Sequence, residues 1–134
     1  MRDFDFWRPH LEKAHVNAWA NLTANSRGRV GPTPKIIWCN RLTKTAGKAY
    51  FDAGVTPGYI KLSSKVFWQY PEGFVREIIP HELAHIAAQR LFGDHHHRAG
   101  WKQCMTWLDL PAMVYWCPDR MLRHREYFNE DNGL

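Results

Sequence analysis

Residues 78–93 read IIPHELAHIAAQRLFG, a stretch in which apolar residues surround three polar ones, His81, Glu82 and His85. From residue 72 onward the apolar residues recur at the spacing of an α-helix, and Gly93 is placed where a helix ends. Pro80 has no backbone N–H, a loss that costs little only in the first turn of a helix. The stretch therefore predicts a helix over residues 72–92 that is kinked at Pro80 or begins again there.

The chain before this helix divides into one long helix and three short strands. Residues 4–24 carry apolar side chains every three or four positions, as on one face of a helix. The segment 25–34 holds two glycines and two prolines, which predict a loop. Three short runs rich in Ile, Trp, Tyr and Phe follow, separated by Gly or Pro turns: residues 35–43, 48–53 and 58–63. We expect these runs to pair as a three-stranded antiparallel meander.

The chain after the motif continues with a loop and one more helix. Residues 94–98 are polar and predict the loop, and residues 100–110 place Trp101, Met105 and Leu108 on one helix face. No repeat, low-complexity tract or long linker divides the 134 residues. We therefore predict a single α+β domain over residues 1–134, with an N-terminal helix, the meander, the motif helix and a following helix.

The charge of the chain is positive and unevenly distributed. Lys and Arg number 18 against 13 Asp and Glu, which gives a net charge of +5. Between residues 13 and 71 there are nine basic residues and a single acid, Asp52. A positive surface favours acidic partners such as nucleic acid, although an excess of this size does not decide function alone.

The cysteines and the apolar pattern bear on the compartment of the protein. The three cysteines form no CxxC pair, so they indicate neither a disulfide framework nor a cysteine zinc site and suit a reducing compartment. The first fifteen residues are charged and aromatic, unlike a secretory signal. No stretch approaches the roughly 20 apolar residues of a membrane span. We expect a cytoplasmic protein with no membrane partner, able to associate with DNA or the nucleoid.

His81 and His85 lie four residues apart, hence one turn apart on one helix face, where both imidazoles can bind the same Zn²⁺. Glu82 lies beside them and can reach a metal-bound water without occupying a coordination position. Zinc lowers the pKa of its water to about 7, so Glu82 can take the proton and later deliver it to a leaving amine. The motif predicts one zinc ion per chain, Glu82 as general base and peptide hydrolysis.

A chance match is the alternative, because HExxH is a pattern of only five residues. The helix is otherwise apolar, however, so its three polar residues should face a partly buried place. Buried imidazoles and a buried carboxylate need partners, and a metal ion is one such partner. The pattern therefore favours a metal site over a coincidence on a helix surface.

A catalytic zinc needs a third protein ligand and leaves its fourth position to water. No glutamate occurs between Glu82 and Glu126, and Leu91 stands where the short HExxHxxGxxH pattern has its third histidine. Five candidates are left, namely His95, His96, His97, Asp94 and Asp109. Histidine is favoured, because carboxylates in loops or at helix ends are more often solvated or capping groups. Three adjacent histidines cannot all bind one tetrahedral ion.

The motif stretch and residues 97–101, HRAGW, resemble the SprT-like metallopeptidase family, which includes Spartan. The family's pattern is HExxH, a short loop, and a third histidine followed four residues later by an aromatic residue. His97 with Trp101 matches that spacing, whereas the two preceding histidines have small residues at the corresponding place. The resemblance therefore implies His81, His85 and His97 as the zinc ligands.

The resemblance extends beyond the motif helix. Residues 45–50, TAGKAY, and 59–62, YIKL, are similar to the family's AGxA turn and to the strand before the active helix. The likeness covers about residues 4–115 and is strongest over 45–110. We find no counterpart of the family's C-terminal cysteine zinc ribbon in this sequence, so we expect any nucleic-acid contact to come from this domain or from a partner.

Spartan-type members are DNA-dependent proteases that act on proteins crosslinked to DNA, and the resemblance implies this substrate class. Independently, the basic half carries aromatic residues that can stack bases among positive charges, although each taken singly is more often packed against the sheet. They are Trp38, Tyr50, Phe51, Tyr59, Phe67, Trp68 and Tyr70. We expect a protein substrate and DNA, including single-stranded DNA, as partners of this half.

Two other functions fit the same residues. One is a DNA-binding module whose zinc site is structural or inactive, and the other is a zinc peptidase with no role on nucleic acid. The intact Glu82 favours an enzyme over the binding module. Several groups have the chemistry to stabilise an oxyanion, and the sequence does not choose among Tyr50, Tyr59, Tyr115, His95 and His96. It does not specify the oligomeric state.

Overall fold

The structure, a computed structural model, describes residues 2–113. Over this range it contains helices α1 (Phe4–Asn25), α2 (Ser64–Phe67), α3 (Pro71–Gly73), α4 (Ile79–Phe92) and α5 (Ala99–Trp107), strands β1 (Lys35–Cys39), β2 (Gly47–Tyr50) and β3 (Tyr59–Ser63), and a π-helical segment (Phe74–Ile78). The predicted α+β class is confirmed. Residues 114–134 lie outside the described residues.

The three strands form one mixed sheet in the order β1-β3-β2, so the predicted antiparallel meander is wrong. β1 pairs in parallel with β3, and β2 pairs antiparallel with β3. β3 takes the centre and is the most buried of the three strands, with Ile60 and Leu62 fully buried. A sheet whose third strand is central cannot be a meander, since β2 must pass to the far edge.

One face of the sheet packs against the helices. Leu22 of α1, Leu83 and Ile86 of α4, and Ile60 and Leu62 of β3 are fully buried in one core. Successive side chains of a strand point to opposite faces, so the residues between these apolar positions lie on the outer face of the sheet. No helix within residues 2–113 has the length and apolar character needed to cross a membrane.

Helix α4 begins and ends where the sequence predicts. Pro80 is in its first turn, and the preceding turn is widened to π geometry, with the Ile79 N–H donating to the Phe74 carbonyl. A widened turn accommodates the missing proline N–H without interrupting the helix. Gly93 ends the helix in the left-handed conformation, with φ of 68°, which glycine adopts at little cost.

Candidate metal centre

Helix α4 presents His81 and His85 from the same face, as their spacing predicts. Their Nε2 atoms approach to 3.2 Å. Glu82 and His85 are buried, with only 7% and 8% of their surface exposed. The polar residues of the motif therefore meet in a largely desolvated place instead of projecting into solvent.

His97 reaches the same place from the loop that joins α4 to α5. Its ring centroid lies 4.5 Å from that of His85 and 5.7 Å from that of His81. One ligand atom from each of the three imidazoles can be chosen so that all lie within 4.8 Å of one another. The three residues can hold a metal ion, and their individual roles as ligands stay a prediction.

The two other histidines of the loop are directed elsewhere. The exposed ring of His95 packs edge-on against Phe51 at 5.0 Å, and its Nδ1 donates to the Gly93 carbonyl at 3.1 Å. His96 is outside the histidine cluster and contributes its backbone N–H to Asp94. Asp109, another candidate, follows the end of α5 with a positive φ of 58°. Within residues 2–113 the cluster of three comprises His81, His85 and His97.

Asp94 shapes the loop that carries His97. Its buried carboxylate accepts the backbone N–H of His96 at 2.8 Å, of Arg98 at 3.0 Å and of Trp101 at 2.9 Å. Burial acts to raise the pKa of Asp94, but these three N–H groups and the charge of Arg98 lower it below its usual value. Asp94 therefore holds the loop closed around His97 and is outside the cluster that can hold a metal.

This role was missed from the sequence, although a signal for it exists. An aspartate that bonds the N–H two residues later makes an Asx-turn, and polar residues after a helix-ending glycine are where such turns occur. Asp94 stands directly after Gly93, so a turn organised by its carboxylate was open to prediction. The sequence indicated a metal ligand, or more often a solvated or capping group, at this position.

Replacing Asp94 by Asn is expected to lower the free energy of unfolding by about 2–4 kcal/mol, because hydrogen bonds to a charged group contribute about 1.5–3 kcal/mol each and the amide keeps one acceptor oxygen. Urea unfolding measures this loss, and zinc titration should show weaker binding. Asp5→Asn, an exposed acid of α1 that pairs with Arg8, is the matched control; it should change the free energy of unfolding by less than about 1 kcal/mol and leave zinc binding unchanged. Equal effects of the two variants would contradict a role for Asp94 in shaping the loop.

Burial sets the protonation of the cluster. Burial first, and then the neighbouring His97, lowers the pKa of His81 to about 4. Burial and the other two histidines lower that of His85 to about 3, with Asp94 acting in the opposite direction. Burial also lowers the pKa of His97. At neutral pH the imidazoles are therefore uncharged and carry the lone pairs that a metal requires.

Glu82 responds in the opposite sense. Burial raises its pKa to about 8, because the charged form of a carboxyl group loses hydration. A divalent cation held by the three imidazoles next to it would favour the carboxylate form. A raised pKa of this kind beside a cleft is typical of residues that transfer protons.

Trp101 forms the apolar floor of the cluster. Its fully buried ring stacks on His85 at 5.5 Å with an interplanar angle of 20°. It also meets His97 at 4.6 Å and His81 at 5.1 Å between ring centroids. One side chain of α5 thus packs against all three imidazoles and restricts their orientations.

Strand β2 passes directly over Glu82 because Gly47 has no side chain. A Cβ atom at this position would lie 3.2 Å from Glu82 Cγ and 3.0 Å from Leu62 Cδ2, closer than ordinary packing. The strand is an edge of the sheet, and with α4 and the histidine loop it encloses a cleft of about 380 Å³. The cleft is lined by Lys44, Thr45, Ala46, Gly47, Lys48, Ala49, Phe51, Ile78, His81, Glu82, His85, His95 and His97.

Of the five groups considered for an oxyanion, His95 lines this cleft. Tyr50 and Tyr59 pair across β2 and β3 on the outer face of the sheet and are not among its lining residues. Tyr115 lies outside the described residues.

The sequence profile of the SprT-like family matches residues 13–115. The chain belongs to the SprT-like family. This match spans the cleft, the three histidines and Trp101, so the resemblance drawn from the motifs is confirmed.

Relatives within the SprT-like family share about a third of their aligned residues with this chain. Protein SprT of Vibrio atlanticus is 36% identical over 75 residues, which are 55% of this chain and 42% of the relative. Protein SprT of Salmonella arizonae is 34% identical over 97 residues, 71% of this chain and 54% of the relative. Protein SprT of Escherichia coli SMS-3-5 is 35% identical over 97 residues, again 71% of this chain and 54% of the relative. The chain thus spans about half the length of these relatives, and no solved structure matches it significantly.

Proposed function

We propose that this SprT-like protein is a zinc-dependent endopeptidase that cleaves DNA-associated or DNA-crosslinked protein. The observation that carries the proposal is the meeting of three uncharged imidazoles with the buried carboxyl of Glu82 at an open cleft. Structural zinc sites are closed by four protein ligands, whereas catalytic sites have three and keep an open position. Within residues 2–113 the cluster comprises three such ligands, so the arrangement supports an enzyme more than a structural zinc site.

The donor set, and the spacing of the His81–His85 pair within it, suit zinc. Two nitrogens bound at about 2.0–2.1 Å to one tetrahedral ion lie about 3.3–3.4 Å apart. The Nε2 atoms of His81 and His85 lie 3.2 Å apart. Three imidazoles without a thiolate are also the ligand set of well-known catalytic zinc sites.

Each group of the cleft has a distinct task in peptide hydrolysis. A zinc ion at this site would polarise the scissile carbonyl and lower the pKa of water to about 7. Glu82 takes a proton from the attacking water and passes it to the leaving amine. The edge of β2 that pairs with no strand within residues 2–113 can bind an extended substrate by backbone hydrogen bonds, with Gly47 leaving space beside Glu82.

The charge of the N-terminal half supports a substrate on DNA. Asp52, its single acid between residues 13 and 71, is bound by Arg90 at 2.9 Å and accepts the Gly58 N–H at 2.6 Å. The acid is thereby neutralised from α4, and the nine basic residues of this half keep their field. This positive field favours a peptidase that acts on protein bound to nucleic acid over a peptidase with no role on nucleic acid.

Elemental analysis of the purified protein tests the metal site first. We expect one zinc ion per chain in the wild type and in His96→Ala, and a substoichiometric content in His97→Ala after dialysis. His96 is the matched control because it neighbours His97 but is outside the cluster. A wild-type protein without stoichiometric zinc after zinc is resupplied would overturn the proposed function, as would equal losses in the two variants.

A further inference from the structure

The outer face of the sheet carries positive charge and aromatic rings. Strand alternation and the pairing register place six side chains on this face: Lys35, Ile37, Lys48, Tyr50, Tyr59 and Lys61. Lys35, Ile37 and Lys48 are exposed, and the others are half-buried. We call these six residues the outer sheet face.

Two lysines of the outer sheet face oppose each other directly. Lys48 of β2 pairs with Lys61 of β3, and both ammonium groups lie over the Tyr50 ring, at 5.3 and 5.2 Å from its centroid. Like charges directly opposite on neighbouring strands destabilise a sheet, and the ring offsets only part of this repulsion. In residues 2–113, neither lysine forms an ion pair. An anion bound between the two lysines would relieve this repulsion.

The aromatic residues of the outer sheet face lie flat against each other. Tyr50 and Tyr59 stack with centroids 4.7 Å apart and an interplanar angle of 7°. Both rings are only half-buried, unlike Phe67, which is 1% exposed in the core. A partly exposed aromatic ring beside ammonium groups can stack any nucleobase while the cations bind phosphates.

A groove continues the outer sheet face at the end of β1. It has a volume of about 460 Å³, and Arg41 and Lys61 are among its lining residues. The backbone N–H of Arg41 lowers the pKa of the Cys39 thiol in this groove, against an opposing effect of burial, and the charges of Lys61 and Arg41 lower it further. The groove thus already stabilises a negative charge, which is what a phosphate brings.

We propose that the outer sheet face and this groove bind single-stranded nucleic acid, with phosphates on Lys48, Lys61 and Arg41 and bases on the tyrosine pair. A single strand fits better than a duplex because stacking on a side chain requires an unpaired, exposed base. This proposal rests on the proposed function and identifies the surface that would contact the nucleic acid. Lys48 also lines the cleft beside the histidine cluster. Strand β2 would then lie between the nucleic acid on the outer sheet face and the substrate peptide in the cleft.

Binding is tested on the full-length, zinc-loaded protein by fluorescence anisotropy with labelled oligothymidylate at several salt concentrations. The variant Arg41→Gln/Lys61→Gln should bind about tenfold more weakly, and its salt slope should fall by about 1.4, because each phosphate contact to a single strand contributes about 0.7. The matched control is Lys13→Gln/Lys102→Gln, which removes the same charge from exposed positions on α1 and α5. The control should bind within about twofold of the wild type.

A second pair of variants separates stacking from charge. Tyr59→Leu should lose about fivefold or more in affinity with an unchanged salt slope, whereas Tyr59→Phe should bind like the wild type. Thermal unfolding of each variant establishes that the sheet is intact. A labelled oligoribothymidylate compared with its deoxy counterpart distinguishes RNA from DNA as the preferred strand.

Three results would overturn this inference. They are equal losses in the two double variants, equal competition by polyglutamate and by oligothymidylate, and tighter binding of a duplex than of a single strand. The first result would indicate a non-specific electrostatic attraction of the oligonucleotide. The second would indicate that the face binds acidic protein, and the third that it binds duplex nucleic acid. Since binding is measured without proteolysis, a zinc-loaded protein that binds the oligonucleotide but cleaves no protein would refute the proposed peptidase alone.

Discussion

Glu82→Gln is expected to reduce peptide-bond cleavage by about 10³-fold or more while zinc remains bound, because the amide cannot accept the proton of the attacking water. The substitution preserves shape, and burial raises the pKa of Glu82 to about 8, so at neutral pH without metal it replaces one uncharged group by another. We therefore expect the melting temperature of the metal-free protein to change little. Cleavage of a labelled unfolded protein, with and without single-stranded DNA, measures the loss.

Glu12→Gln is the matched control, since Glu12 is an exposed glutamate on α1. It should retain wild-type cleavage and zinc content. If Glu82→Gln cleaved the substrate as fast as this control, Glu82 would not be the base. If neither the wild type nor the control cleaved any protein despite stoichiometric zinc, the binding module with an inactive zinc site would become the better explanation.

The three longest helices could be predicted from the sequence because their signals are local, whereas the short helix α2 was not predicted. Apolar spacing, Pro80 in a first turn and Gly93 at a helix end each act within a few residues, and all three predictions are confirmed. The strand order could not be predicted in this way, since an edge strand has the same alternation in a parallel and an antiparallel pair. What fixes the order is the full burial of Ile60 and Leu62, together with the close approach of Gly47 to Glu82.

In the metal cluster, too, some residues could be predicted from local spacing, whereas one depends on tertiary contacts. His81 and His85 follow from helical spacing alone, because residues four apart share a helix face. His97 could not be chosen over its two neighbours by geometry, since adjacent loop residues have no fixed direction, and its assignment came from a family resemblance. In the structure the direction is set by Asp94, whose carboxylate binds three backbone N–H groups of the same segment.

The aromatic residues of the basic half separate according to the face of the sheet on which they lie. Trp38 and Phe67 pack into the core with ring centroids 5.3 Å apart, as expected of most of this set. Tyr50 and Tyr59 instead lie on the outer face. Strand alternation could have made this distinction from the sequence if the pairing register had been known, and the register depends on the strand order that was predicted wrongly.

Trp101→Ala is expected to lower the free energy of unfolding by about 3–5 kcal/mol, the usual cost of removing a large buried ring. The effect should extend to the metal, because the ring packs against His85, His97 and His81 and limits their rotation. We expect the zinc affinity of the variant to fall about tenfold or more. Urea unfolding and a competitive zinc titration of the same sample measure both effects.

Two controls separate the loss of the ring from the loss of burial. Trp68→Ala removes an indole that is 46% exposed and should change stability much less than Trp101→Ala. Trp101→Phe keeps a ring beneath the histidines and removes a buried indole N–H that has no acceptor within residues 2–113, which offsets part of the lost volume. If Trp101→Phe bound zinc as weakly as Trp101→Ala, the ring would not be what orients the histidines. If Trp101→Ala unfolded at a lower urea concentration yet bound zinc like the wild type, Trp101 would stabilise the core without orienting the histidines.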